Sequence, residues 1–366
     1  LFIRTLRNLL AIDPGFRAEN VLRVPLELPR QKYDAEKSNQ FYRELIERLQ
    51  SLPGVEAVTV AGRTPLDGAR RSMSVIIEGY QTPPGENVGV GFNQVGPAYH
   101  ELMRIPIVQG RGFTAEDRAG APGVVIINEA IARLYFPNQD PIGKRLSRGP
   151  GNPWLEIIGV TRNIMLGALT ETPAPQIDLP ALQQPIGNYA RVLMRATGDP
   201  AGLIAAVRSE VQLLDPGVAL RGVSTLSEDL LNSIAPARMA ATLTNLFGLT
   251  ALLLAAIGLY GVMAFAVSQR TQEIGIRMAL GARHAAVLWL VVRQGMKLAL
   301  IGVAIGLFAA LAMARLITRF LYGVSATDPL TFAAIALLLL VVALLACLVP
   351  ARRATKVDPL VVLRYE

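Results

Sequence analysis

Residues that carry most enzyme chemistry are scarce in this chain. Its 366 residues include one cysteine, Cys347, so no disulfide can close within it. The two histidines, His100 and His284, stand far apart, and with a single cysteine they offer no zinc-binding spacing. No Gly-x-Ser-x-Gly elbow and no His-Glu-x-x-His pair occurs. Gly143-Lys144 superficially matches a phosphate loop, but Arg145 stands where Ser or Thr is required and the earlier glycine is missing. The chain is therefore not expected to hydrolyse ATP itself, and no catalytic residue, cofactor or metal is expected. Charged residues are also few, 17% against 52% hydrophobic, and with a mean hydropathy of +0.38 that balance points to a membrane protein.

The formal charge of +8 does not imply nucleic acid. Lys and Arg are dispersed, except where they flank long apolar runs, which is the pattern of membrane topology. The chain opens Leu-Phe-Ile-Arg, with no Met and no signal-peptide pattern, and reads as a fragment or a chain numbered from within a longer one.

Three apolar runs, about Leu243–Val267, Leu298–Ile317 and Thr331–Val349, each reach the roughly 20 residues that a bilayer core requires. None contains Asp or Glu, so an ion or proton pathway lacks its acidic partners. Arg293 and Lys297 share a helix face and are expected to snorkel at the cytoplasmic interface. Arg270, Arg277 and Arg283 lie between the first and second runs, and Arg352, Arg353, Lys356 and Arg364 follow the third. Both regions should be cytoplasmic, which puts the large segment before Leu243 outside the membrane.

That outer segment contains two β-α-β patterns. In the first, Val21–Leu28 and Val55–Ala61 read as strands around a helix at Ala35–Leu52, with Pro25 arguing for an edge strand. In the second, Ala190–Ala196 and Val218–Val223 flank a helix at Pro200–Leu214. Together they predict an α+β membrane protein whose outer domain is a ferredoxin-like split fold interrupted by a mostly β subdomain, 64–188. Asn128 is expected to cap a helix over Glu129–Phe136, and Thr225-Leu226-Ser227-Glu228 is a capping box opening a stalk that Pro236 would kink. The resulting division is 1–16, the end of a preceding membrane or stalk helix; 17–224, the outer domain; and 225–366, the stalk and spans.

Two small-residue patterns predict close helix packing, Gly302 with Gly306 and, more weakly, Gly258 with Gly261. Between the first two spans, Arg270 and the run Glu273, Ile274, Gly275, Ile276, Arg277, Met278, Ala279, Leu280, Gly281 and Ala282 combine a charged and an apolar face. A solvated turn would need only the first of these. This run, with Gly258-Leu259-Tyr260-Gly261-Val262 before it, resembles the signature of ABC-transporter permeases of the MacB and FtsX type. The terminal residues Pro350, Arg352, Arg353, Asp358 and Pro359 resemble that family's final motif. Gly110-Arg111-Gly112-Phe113, Val125–Glu129 and Pro141–Lys144 resemble its periplasmic core domain. The family's first membrane helix has no counterpart in the chain, which fits a fragment or the second half of a duplicated permease.

The resemblance implies a non-catalytic permease in the bacterial inner membrane, coupled to a cytoplasmic ATP-binding subunit and acting with a second permease unit. The charged run becomes a coupling helix, in which Arg270, Glu273 and Arg277 form charge-assisted contacts and Ile274, Ile276 and Met278 fill a groove. The expected output is efflux of a hydrophobic small molecule or peptide. The alternative is regulation of a periplasmic partner such as a cell-wall hydrolase, or handling of a lipoprotein. An enzymatic outer domain has little support.

Overall fold

The computed structural model describes residues 7–8, 11–67, 71–81, 87–167, 171–220, 222–270, 273, 276, 284–317 and 329–354. It contains two compact units, Ile12–Ala235, and Pro236–Glu366 with Leu1–Ala11.

The outer unit begins with β1 (Val21–Glu27), α1 (Ala35–Gln50) and β2 (Val55–Ala61). The chain continues through β3 (Ser72–Ile77), β4 (Val88–Val95), α2 (Tyr99–Met103), β5 (Ile107–Gly110) and β6 (Val124–Asn128). Next come α3 (Glu129–Tyr135), β7 (Arg145–Ser147), β8 (Trp154–Thr161) and β9 (Gln176–Pro180). It closes with β10 (Tyr189–Ala196), α4 (Ile204–Leu214), β11 (Ser224–Thr225) and α5 (Leu226–Ser233). The strands at the two ends of this sequence lie side by side in the order β11-β1-β10-β2, all antiparallel to their neighbours.

Local chemistry sets these elements. Asp34 caps α1 by accepting from the Lys37 amide at 2.8 Å, and Phe41, Leu45 and Leu49 recur every fourth residue to give one buried face. That face packs on Val58 and Val60 of β2 and on Val207 and Val211 of α4, and each fully buried side chain contributes roughly 1.5–3 kcal/mol. Arg195, buried in β10, donates to the carbonyls of Leu102, Glu19 and Arg17 at 2.7–3.1 Å, and so ties the segment before β1 to α2.

Between the two halves, six strands close on themselves in the ring β4-β3-β7-β8-β6-β9 and back to β4. Its apolar interior includes Val75, Val90, Ile127, Leu146, Ile157 and Ile177. The ring is joined to the parent sheet where Ala61 of β2 pairs with Val95 of β4. Asn128 caps α3 through an accepted bond from the Ile131 amide, 3.2 Å.

Three details differ from the sequence expectations. The strand β1 lies inside the sheet, not at its edge, but β11 pairs with it only at Leu22 and Arg23, so Pro25 itself has the open side that an edge strand would give it. The strand expected at Val218–Val223 is reduced to a bridge from Leu26 to Leu220, and Gly222, at φ 66°, interrupts the extended chain before β11. The stalk is not kinked within a helix. Its first helix ends at Ser233, and Pro236 sits in the first turn of the next, where its missing N–H is no loss.

The second unit consists of α6 (Ala235–Gln269), α7 (His284–Ile317) and α8 (Pro329–Ala354). At about 1.5 Å per residue each exceeds the roughly 30 Å of a bilayer core. Phe247, Ile305 and Phe308 are 69%, 66% and 78% exposed. Side chains of that kind in a row belong in lipid.

Candidate functional site

The site is where the three spanning helices converge at one end. Met263 of α6, Val291 and Val292 of α7, and Cys347 and Ala351 of α8 are all buried there, with Leu259, Val267, Leu288, Met296 and Leu348 packed around them. Gly295 is the centre of this seam. A Cβ built on it would collide with Cys347 Sγ and stand 3.1 Å from Met263 Sδ. Only a glycine lets the three helices meet at that point. Pro350 and Ala351 are buried on α8 beside the seam, and Arg352 is exposed.

The predicted docking run leaves α6 here. Arg270 is exposed and its Nη1 donates to Gln294 Oε1 at 3.3 Å, bridging α6 to α7. Glu273 and Ile276 are helical and exposed. Ile274, Gly275, Arg277, Met278, Ala279, Gly281 and Ala282 lie outside the described residues, as do Asp358 and Pro359; Arg353 is within the α8 backbone. Arg293 and Lys297 are exposed.

Gly258, Gly261, Gly302 and Gly306 behave differently from Gly295. All four are exposed, and a Cβ on any of them would meet nothing within 4 Å. Among the described residues, then, they make no close helix contact. Gly302 and Gly306 instead line an apolar groove of about 480 Å³ with Leu252 and Ala256 of α6 and Leu339 and Ala343 of α8. Gly295 was legible only as the residue between Arg293 and Lys297, and Cys347 only as part of an apolar run. No sequence signal separates a packing glycine from a groove glycine without knowing how the helix is rotated.

In the outer unit, polar groups gather where the parent sheet meets the ring. Arg191 of β10 pairs with Asp67 at 2.9 Å, both nearly buried, and also donates to the Gly62 carbonyl. His100 of α2 lies 3.0 Å from Asp178 of β9, whose other oxygen accepts from Gln176. Burial drives the Tyr99 phenol pKa above its ordinary value and lowers that of the Arg63 guanidinium. Arg191 and Asp67 compensate each other and Asp178 lies against His100, while His100 Nδ1, Gln176 Oε1 and Arg191 Nε are buried without a hydrogen-bond partner. Among the described residues no cluster of His, Cys, Asp and Glu could hold a metal.

Comparison with known sequences decides the family. The MacB-like periplasmic core domain matches residues 4–213, more than half of the chain, and the FtsX-like permease C-terminal domain matches residues 245–359. The chain belongs to the MacB/FtsX-type family of ABC transporter permeases. It is a membrane protein with an extracytoplasmic domain, and the family forms the transmembrane component of ABC exporters.

Among its relatives, the macrolide export ATP-binding/permease protein MacB of Hahella chejuensis is 27% identical over 331 residues, 88% of this chain and 48% of that protein. The pyoverdine export ATP-binding/permease protein PvdT of Pseudomonas savastanoi pv. phaseolicola is 28% identical over 281 residues, 72% of this chain and 41% of that protein. The chain thus spans about half the length of the curated relatives it matches. A solved structure, the periplasmic region of MacB from Actinobacillus actinomycetemcomitans, aligns with 60% of this chain and 95% of its own length at 15% identity and a TM-score of 0.39.

Proposed function

We propose that this permease converts ATP hydrolysis on a separate cytoplasmic subunit into movement of its outer domain, for efflux of a hydrophobic small molecule or peptide. The observation that supports it most directly is the Gly295 seam. A displacement delivered to the run 270–282 acts on α6, which it leaves, and on α7, through the Arg270–Gln294 bridge. At Gly295, α7 meets Cys347 of α8 and Met263 of α6. The spans then move as one body and transmit force, and the apolar lining of their groove argues against passage of a polar solute between them.

In this reading Arg270, Glu273 and Arg277 dock the ATP-binding subunit by charge-assisted contacts, and the glycine-lined groove receives a helix of a second permease unit. The order β11-β1-β10-β2 supports a ferredoxin-like split fold for the parent half of the outer domain. Its place is the outer side of a bacterial cytoplasmic membrane.

The test is co-purification. From gently solubilised membranes, the chain should carry an ATPase activity that Arg277→Glu removes while leaving the thermal unfolding midpoint unchanged. Equal recovery of that activity with Glu273→Arg and Arg277→Glu combined would remove the docking role. A macrolide exporter and a pyoverdine exporter both appear among the relatives, so the cargo has to be found by transport assay.

A further inference from the structure

Two basic side chains on α7 have no protein partner. Arg293 and Lys297 are exposed, and neither makes an ion pair or hydrogen bond with another described residue. The spans cannot supply a counterion, because α6, α7 and α8 contain no Asp or Glu. The two residues stand two positions before and two positions after Gly295, the centre of the seam. At about 3.6 residues per turn, both side chains leave α7 about 160° from that glycine, on the face turned away from α6 and α8. The same face continues along the helix with Ile301, Ala304 and Phe308, all exposed.

Their depth is set by the apolar run that follows. Lys297 and Arg315 bound a stretch without any charge, 298–314. At about 1.5 Å per residue they stand about 27 Å apart along the axis, close to the roughly 30 Å of a bilayer core. Lys297 is therefore at the boundary of the hydrocarbon, and Arg293 is one turn further out, in the headgroup layer. Two cations with no anion of their own at that height face lipid phosphates.

We infer that Arg293 and Lys297 hold the headgroup phosphate of an anionic phospholipid, in the leaflet on the side of the docking run. The Arg293 guanidinium presents two parallel N–H donors to phosphate oxygens, and Lys297 reaches the same group by extending its stem outward from the boundary. One acyl chain lies along Ile301, Ala304 and Phe308. Two cations are compensated by a headgroup of net negative charge and not by one whose phosphate already carries choline or ethanolamine. The inference needs only that the helices span a bilayer. The site is on the opposite face from the glycine-lined groove, so a second permease unit seated there leaves it open.

The test places the full chain, with carbon-13 labelled isoleucine methyls, in phosphatidylcholine nanodiscs. A small fraction of phosphatidylglycerol or of phosphatidylcholine is added that bears a nitroxide on the acyl chain near the ester. Ile301 reports the site, and Ile257 of α6 is the control. Both are exposed, and because Met263 meets Gly295, positions 257 and 301 lie equally far into the membrane from that contact. A basic group beside anionic lipid is worth about fivefold in occupancy. Nitroxide phosphatidylglycerol should relax the Ile301 methyl at least about fivefold faster than Ile257, and nitroxide phosphatidylcholine should relax the two alike. Arg293→Gln combined with Lys297→Gln should make phosphatidylglycerol equally even-handed. Equal relaxation in the parent chain, the same excess with both lipids, an excess that survives the double substitution, or its loss to added inorganic phosphate would each overturn the assignment. The parent chain alone can overturn it, so the result stands even where the double variant fails to insert. Co-purification of an ATPase reads Glu273 and Arg277 instead, and the two proposals fail separately.

Discussion

Gly295 of α7 touches Cys347 of α8 so closely that no side chain fits on the glycine. That contact fixes the end of the membrane unit from which the predicted docking run departs, and it separates two kinds of glycine on one helix. Gly295→Ala should destabilise the spans by about 1–3 kcal/mol through overpacking, and Gly295→Leu by more. Gly302→Ala and Gly306→Ala, with open space at the Cβ, should stay within about 0.5 kcal/mol of the parent chain. Thermal unfolding of the four variants in one detergent checks the contrast. In the native assembly, a loss of activity in Gly302→Ala without a loss of stability would place another helix against the groove.

The Gly110-Arg111-Gly112 run makes a similar contrast in the outer unit. Gly110 has φ +72°, and a Cβ on it would collide with the Ile158 carbonyl and stand 2.9 Å from Ile142 Cδ1. Gly112 has nothing within 4 Å. Gly110→Ala should therefore cost more than about 2 kcal/mol, with the bonds between β5 and β8 exchanging faster, while Gly112→Ala is nearly neutral. Hydrogen exchange across Ile107–Gly110 would read both, and equal protection in the two variants would contradict the strain.

Asp215 predicts a dependence on acid. The Lys32 ammonium and the Tyr33 hydroxyl donate to Asp215 Oδ2 at 2.8 and 2.6 Å, and the Gly217 amide to Oδ1. These bonds, Lys32 first, lower its pKa from 3.8 to about 2. A depressed carboxyl stabilises the fold above its unfolded value, and that contribution disappears as pH falls from about 4 towards 2. Asp215→Asn should destabilise the outer unit by about 1–2 kcal/mol at pH 7 and make its stability less sensitive to pH in that window. Chemical unfolding at pH 7, 4 and 3 measures this, and parallel acid profiles for the two proteins would rule it out.

Much of the architecture was visible in the residues. The period of Phe41, Leu45 and Leu49, the Asn128 cap and the Thr225–Glu228 box are local signals, and each formed the element it indicated. Pairings between distant segments were not visible. β4 with β9 joins residues more than eighty positions apart, and nothing in either strand names the other. At the site, the run 270–282 was recognisable because its residues resemble a family motif. Gly295 was not, because its role depends on how three helices are rotated about their axes.

The six-stranded ring has a consequence for life outside the cytoplasm. An open sheet with one flank formed by β2 would present a row of unpaired amides to every neighbouring chain, and such a row is a template for aggregation. Here Val95 caps β2 at Ala61, and the strands beyond it pair in a circle. The opposite flank ends in β11, two residues long. Each of the six strands in the ring pairs on both sides, so none of them forms the flank of an open sheet that a neighbouring chain could extend.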